Sequence, residues 1–375
     1  MAPVIKALLA RSDAIQTVVC VTGQHREMLA SALQVFGIQP QYDLKLMQPG
    51  QTLTDLTCAI LSGLQPVLAA EQPNLVLVHG DTTTTFATSL ASHYARVPVA
   101  HVEAGLRTGN LYAPFPEEAN RRLTSALAAL HFAPTDAARA NLVREGIASN
   151  AVFVTGNTVV DALQTALQRI DADLPLQKQL DDQFSYLDPA KRLILVTGHR
   201  RENFGAGFES ICHALADIAD QSPDVELLYP VHLNPQVRQP VQAILGNQQG
   251  SQQGSAKAKR ANVHLIDPVD YLPFVYLMRR AYLIITDSGG IQEEAPTLGK
   301  PVLVMRDITE RPEAVLAGTA RLVGASRDSI VNNTLALLND VKAWQAMSQA
   351  GNPYGDGQAA ARIVQTLLTW REATP

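Results

Sequence analysis

Nine short runs rich in Val, Ile and Leu recur along the chain: Thr17–Thr22, Leu75–His79, Val97–Glu103, Val152–Thr155, Leu193–Thr197, Glu226–Pro230, Val263–Ile266, Tyr282–Thr286 and Pro301–Met305. Within each run the apolar residues are nearly continuous rather than alternating, which is the pattern of parallel strands covered on both faces. Between them lie stretches with helical spacing, among them His25–Phe36, Thr54–Ala70, Phe208–Ile218 and Ser329–Leu338. That rhythm restricts the chain to doubly wound α/β architecture.

Length divides this architecture in two. At roughly 150 residues per domain, 375 residues make two or three domains, and α/β units favour two. The 46% of hydrophobic residues supply two ordinary cores. A polar stretch from Lys178 to Gln183 separates two strand-rich blocks. The expected division is a first Rossmann-like domain over 1–157, completed by a C-terminal helix at 358–375, and a second over 158–357. The breakers Gly351-Asn-Pro-Tyr-Gly-Asp-Gly357 precede that last helix. Residues 247–259, with a doubled Gln-Gln-Gly-Ser, read as a solvated loop insertion. The opening is unusual for this class: Val4, Ile5, Leu8 and Leu9 have helical spacing, where a doubly wound domain normally opens with a strand.

Charge and cysteine usage exclude several functions. Thirty Lys and Arg against 35 Asp and Glu leave a net charge of −5, so there is no chain-wide basic field for nucleic acid. The longest apolar runs, such as Leu193–Val196, fall far short of the ~18 residues of a membrane span, and the N-terminus has no signal-peptide pattern. Cys20, Cys58 and Cys212 are odd in number and widely spaced. They form neither a disulfide framework nor a metal site, and a cytoplasmic location is expected.

Ligands of open α/β sheets sit beyond the carboxyl ends of the strands, and four strand ends carry chemistry. After Leu75–His79 comes Gly80-Asp81, where Asp81 is either a functional carboxylate or the N-cap of the next helix. Glu103 ends a second strand, and Glu117 follows in a Pro-rich loop. A site that takes a proton from one face of a carbon and returns it to the other needs two acid/base groups. The string Thr197-Gly-His-Arg-Arg-Glu202 puts His199 and two arginines where a diphosphate can be held, or else forms a surface ion cluster. The fourth, Thr286-Asp-Ser-Gly-Gly290, is a strand-turn-helix anion cradle followed by Glu294, which can accept ribose hydroxyls. No Gly-x-Gly-x-x-Gly follows a strand directly, no Walker A loop, His-Glu-x-x-His or Gly-x-Ser-x-Gly occurs, and no nicotinamide or other cofactor is called for.

Together these motifs resemble the non-hydrolysing UDP-N-acetylglucosamine 2-epimerases of bacteria, of the enterobacterial type. The matching strings are Val78-His-Gly-Asp-Thr-Thr-Thr-Thr85, His101-Val-Glu-Ala-Gly-Leu-Arg-Thr108, Pro116-Glu-Glu-Ala-Asn-Arg121, Gly156-Asn-Thr158, Thr197-Gly-His-Arg-Arg-Glu202, Thr286-Asp-Ser-Gly-Gly-Ile-Gln-Glu-Glu-Ala-Pro296, Thr309-Glu-Arg-Pro-Glu313 and Asn352-Pro-Tyr-Gly-Asp-Gly357. They span nearly the whole chain.

The resemblance implies two Rossmann-like domains with a cleft between them, as in the glycosyltransferase-B fold, and a homodimer. It implies reversible conversion of UDP-N-acetylglucosamine to UDP-N-acetylmannosamine for surface polysaccharide, by elimination and re-addition of UDP. Asp81, Glu103, Glu117 and His199 match the catalytic groups. Val269, Phe274, Ser288, Gly289, Gly290, Glu294 and Arg311 match the substrate contacts. Gln24, His25, Arg26, Gln51, Arg201 and His232 fall in segments resembling a second, allosteric UDP-N-acetylglucosamine site. Family members open with a strand and a Gly-Thr-Arg-Pro-Glu loop, which this chain lacks, so an upstream extension is expected. Two alternatives stay open: a UDP-sugar glycosyltransferase of the same fold, in which three carboxylates are surplus, and an inactive UDP-sugar-binding regulator.

Overall fold

A computed structural model describes residues 1–23, 26–48, 50–246 and 260–370. The chain forms two compact units, one of Met1–Thr165 with Tyr354–Pro375 and one of Ala166–Pro353. The first division falls inside the helix Thr158–Ala172 rather than before it.

The first unit carries β1 (Cys20–Val21), β2 (Tyr42–Asp43), β3 (Val76–His79), β4 (Val99–Val102), β5 (Leu130–Ala133) and β6 (Val152–Val154). Strands β3 to β6 form a parallel sheet in chain order, and β1 and β2 pair separately, also in parallel. On one face Ala100, Val102, Leu130 and Phe132 pack with Val4 and Leu8 of the helix Ala2–Leu9 and with Ile363 and Val364 of the helix Ala359–Thr369. Asp161 fixes that last helix by accepting the N–H groups of Ala359 (3.2 Å) and Ala360 (2.8 Å), two donors with no partner inside the helix. The helix Leu53–Glu71 is long and apolar enough to cross a membrane by length and composition, with a mean hydropathy of 1.4. Its Leu56, Ile60, Leu64 and Leu68 lie at helical spacing and pack on Ala87 and Ala91 of the helix Thr83–Tyr94.

The second unit carries β7 (Arg192–Thr197), β8 (Val225–Pro230), β9 (Val263–Ile266), β10 (Leu283–Thr286), β11 (Val302–Val304) and β12 (Ala320–Leu322). All are parallel, in the order β12-β11-β10-β7-β8-β9. Counted from β7 this is the 3-2-1-4-5-6 order of a doubly wound sheet, and its order reverses between β7 and β10. Ile194, Val196, Leu227, Ile285 and Leu303 are buried against the helix Ala206–Gln221 through Phe208, Ile211 and Leu215.

Three strands have no counterpart among the nine apolar runs. His131 interrupts the apolar pattern of β5, Arg321 that of β12, and β2 is only Tyr-Asp. Neighbouring strands, not local hydrophobicity, define all three. Gln24, His25, the expected insertion at 247–259 and residues 371–375 lie outside the described residues.

Candidate functional site

In the first unit, carboxylates stand at the carboxyl ends of adjacent strands. Asp81 follows β3 and Gly80, but it is not a helix cap: Thr82 fills that position, its hydroxyl accepting Thr85 N–H at 3.3 Å. The Asp81 carboxylate instead receives Nη2 of Arg121 at 2.6 Å, and Asn120 Nδ2 donates to its backbone carbonyl at 2.9 Å. Both partners come from the helix Glu117–Leu127, in which Glu117 sits one turn before Arg121. Residues four apart share a helix face, so the face that meets Asp81 also carries Glu117. One Glu117 oxygen, Oε2, is buried with no hydrogen-bond partner. Buried polar atoms are ordinarily satisfied, and exceptions concentrate where a ligand or proton is exchanged.

Glu103 follows β4 with φ +62°, a left-handed conformation that is uncommon for a residue with a side chain. Such backbone stores on the order of 1–3 kcal/mol and persists where the surroundings hold it. Here the Glu103 carboxylate accepts Asn157 Nδ2 at 3.0 Å. Gly80 leaves it room, since a Cβ there would stand 3.1 Å from Glu103 Oε2. Asn157 is itself held by the 2.7 Å bond from its N–H to the Tyr354 carbonyl.

Three histidines lie beneath these groups. His101 sits on β4 beside His131 on β5, and its Nε2 lies 2.7 Å from the Gly80 carbonyl. Burial holds His79 well below its ordinary range, lowers His101 to about 3 and lowers His131 to about 4, so all three are neutral at pH 7.

In the second unit, the residues singled out gather where the strand order reverses. His199 follows β7 and Ser288-Gly289-Gly290 follow β10, two strands joined at their ends by Thr197 and Thr286 hydroxyls 2.6 Å apart. His232 follows β8, and its ring stacks on His199 at 5.5 Å and 16°. Burial lowers the pKa of His199, Asp287 raises it, and Arg200 and His232 lower it further. Among the described residues, Arg200 and Arg201 form no ion pair with Glu202. Glu202 bonds Arg306 at 2.7 Å, Arg200 lies 3.9 Å from Glu310, and Arg201 is exposed.

Arg311 packs over the Gly289 backbone, and a Cβ at Gly289 would collide with the guanidinium. Arg311 is held by Glu293 and by Glu310, the latter at 2.5 Å. Burial would raise the Glu310 carboxyl, but Arg311 and Arg306 overcome this and hold it at about 2. Glu294 lies in the short helix Ile291–Thr297 and accepts the Tyr271 hydroxyl at 3.1 Å. Burial raises Glu294 to about 7, against the lowering effect of that bond. Val269 and Phe274 are half-buried, Phe274 one turn after Tyr271 in the helix Tyr271–Arg280.

Gln51 belongs to the first unit and accepts the Gln48 N–H at 3.3 Å. Arg26 begins the helix Arg26–Phe36. Among the described residues no group of three or more His, Cys, Asp or Glu is arranged to hold a metal.

Arg121, Asn157, Asp287, Glu293 and Glu310 were not among the site residues expected from the sequence. All five lie within motif strings, but nothing local distinguishes a side chain that supports a site from one that forms it.

The family model for UDP-N-acetylglucosamine 2-epimerase matches residues 7–368. A UDP-N-acetylglucosamine 2-epimerase of Escherichia coli (strain K12) is 59% identical over 367 residues, covering 98% of this chain and 94% of that protein. The crystal structure of UDP-GlcNAc 2-epimerase from Neisseria meningitidis bound to UDP-GlcNAc superposes with a TM-score of 0.91 at 49% identity, covering 99% and 96% of the two chains. That of the Methanocaldococcus jannaschii enzyme, in complex with UDP-GlcNAc and UDP, gives 0.79 at 32% identity, covering 98% and 95%. With its doubly wound parallel sheets and carboxylates at adjacent strand ends, this chain belongs to the UDP-N-acetylglucosamine 2-epimerase family.

Proposed function

We propose that this protein interconverts UDP-N-acetylglucosamine and UDP-N-acetylmannosamine by inverting C2 of the sugar. In this reading a carboxylate of the first unit removes the C2 proton while the C1–O bond breaks and its electron pair leaves with UDP. The 2-acetamidoglucal that remains takes a proton on the opposite face of C2 as UDP re-adds at C1. Asp81, Glu103 and Glu117 are the acid/base groups, and His199 donates to the diphosphate. Ser288, Gly289, Gly290 and Arg311 hold the phosphates, Glu294 the ribose, and Val269 and Phe274 flank the uracil.

The observation that carries this reading is the set of supported carboxylates in the first unit: Asp81 on Arg121, Glu103 on Asn157 in a left-handed backbone, and Glu117 with a buried, unpartnered oxygen. A transferase or a binding protein has no use for three such groups. The proposal extends to a cytoplasmic homodimer, with Arg201 and His232 in a regulatory nucleotide-sugar site.

Proton NMR of the purified chain with UDP-N-acetylglucosamine in D2O tests the reaction. UDP-N-acetylmannosamine carrying deuterium at C2 is the expected product. A folded chain that binds UDP without exchanging the C2 proton would refute the reading in favour of a regulator.

A further inference from the structure

Asp287 is completely buried at the end of β10. Its Oδ2 accepts the backbone N–H groups of His199 and Arg200, both at 2.9 Å, and lies 3.4 Å from Asn203 Nδ2. A single carboxylate oxygen thus fixes the turn that carries His199. The other oxygen, Oδ1, is buried, makes no hydrogen bond, and lies 3.6 Å from His199 Nδ1. That separation is slightly beyond a hydrogen bond, and a small ring movement closes it. Leaving a buried carboxylate oxygen unpaired is costly, and the imidazole Nδ1 is the group in place to satisfy it.

We propose that Asp287 is the positioning residue of His199: its carboxylate holds a proton on Nδ1 and leaves Nε2 to the ligand side, an acceptor in the neutral ring and a donor to a bound anion once a second proton makes the imidazolium. The inference rests on His199 acting in the reaction as described under Proposed function. The ionisable groups facing the ring are Asp287, Arg200 and His232, of which only Asp287 is negative. Burial and the two basic neighbours disfavour the charged ring, and Asp287 opposes them. Which ring nitrogen carries the proton is set by the bond that the other one makes. An Asp at Nδ1 therefore assigns Nε2 to the ligand side, and its charge stabilises the donor form.

Asp287→Asn keeps an oxygen for the two backbone N–H groups while removing the charge and presenting an NH2 to Nδ1. The test compares the wild-type chain, Asp287→Asn and His199→Asn by kcat across pH 5.5–9, with nitrogen-15 NMR of the histidine rings. The expected wild-type tautomer of neutral His199 is Nδ1–H, changing to Nε2–H in Asp287→Asn. The same variant should lose roughly 10- to 100-fold in kcat with a much smaller change in KM, and the pH limb set by His199 should move down by about one unit. A fall in kcat with unchanged tautomer and unchanged pH profile would mean that Asp287 only builds the turn, and would overturn the inference. If Asp287→Asn does not fold, an Nε2–H tautomer in the wild-type protein overturns it just as directly. Full activity in His199→Asn would instead overturn the role given to His199, while the tautomer still reports on its pairing with Asp287.

Discussion

Arg121 offers the sharpest test of how the first unit supports its carboxylates. Its side chain is only 5% exposed and bridges Asp81 at 2.6 Å and the fully buried Glu118 at 3.1 Å. Replacing Arg121 by Met keeps most of the side-chain volume and leaves Glu118 a buried charge without its main partner. Breaking a buried pair costs roughly 3–5 kcal/mol. The lower end applies here, because Glu118 still accepts the N–H groups of Thr108 (3.0 Å) and Gly109 (3.2 Å) and keeps Arg122 at 3.7 Å. We expect a loss of about 3 kcal/mol, or about 6–12 °C in the Tm of a unit of this size. Urea unfolding and calorimetry measure it. Adding Glu118→Gln should restore about half of the loss, since Gln still accepts one or both backbone N–H groups without a stranded charge. The kcat should stay low in the double variant, because Asp81 still lacks the Arg121 guanidinium. Destabilisation below about 1 kcal/mol, or no recovery in the double variant, would refute the view that Arg121 neutralises a buried acid.

Glu117→Gln should lower kcat by roughly 100-fold or more with little change in KM, and near-normal turnover would remove Glu117 from the mechanism. Arg311→Ala should weaken UDP binding by calorimetry and also lower the Tm, because Glu293 and Glu310 lose a shared cation; unchanged affinity would refute its role as a ligand. Glu294 has a folded-state pKa raised to about 7, so its contribution to stability is fully present below its ordinary value and is lost as pH rises through 7. Glu294→Gln should therefore gain stability relative to wild type at pH 8 and not at pH 4, by urea unfolding at both. His101 and His131 have lowered folded-state values, about 3 and about 4, so the first unit should lose stability as pH falls from about 6.5 towards 4. Replacing His131 by Phe should flatten that limb.

Much of this protein is legible along the chain. Apolar runs such as Leu193–Thr197 locate buried parallel strands because a strand covered on both faces has no polar side to alternate. Asp81, Glu103, His199 and Ser288 stand out because polar residues just after such runs fall at strand ends, where open sheets bind ligands. The sequence does not say which neighbours those residues acquire. β5 and β12 are strands because their neighbours pair with them, although His131 and Arg321 break their apolar pattern. Arg121 reaches Asp81 across 40 positions and Asp287 holds the His199 turn across 88, and no local pattern encodes either contact. Asp81 could equally have been a helix cap until Thr82 was seen to fill that position. Local hydrophobicity and turn chemistry thus determined the elements and the strand-end residues. Which carboxylate is neutralised, which backbone is strained and which oxygen stays unpaired were decided by tertiary packing, because charge compensation and burial depend on contacts between residues distant in the chain.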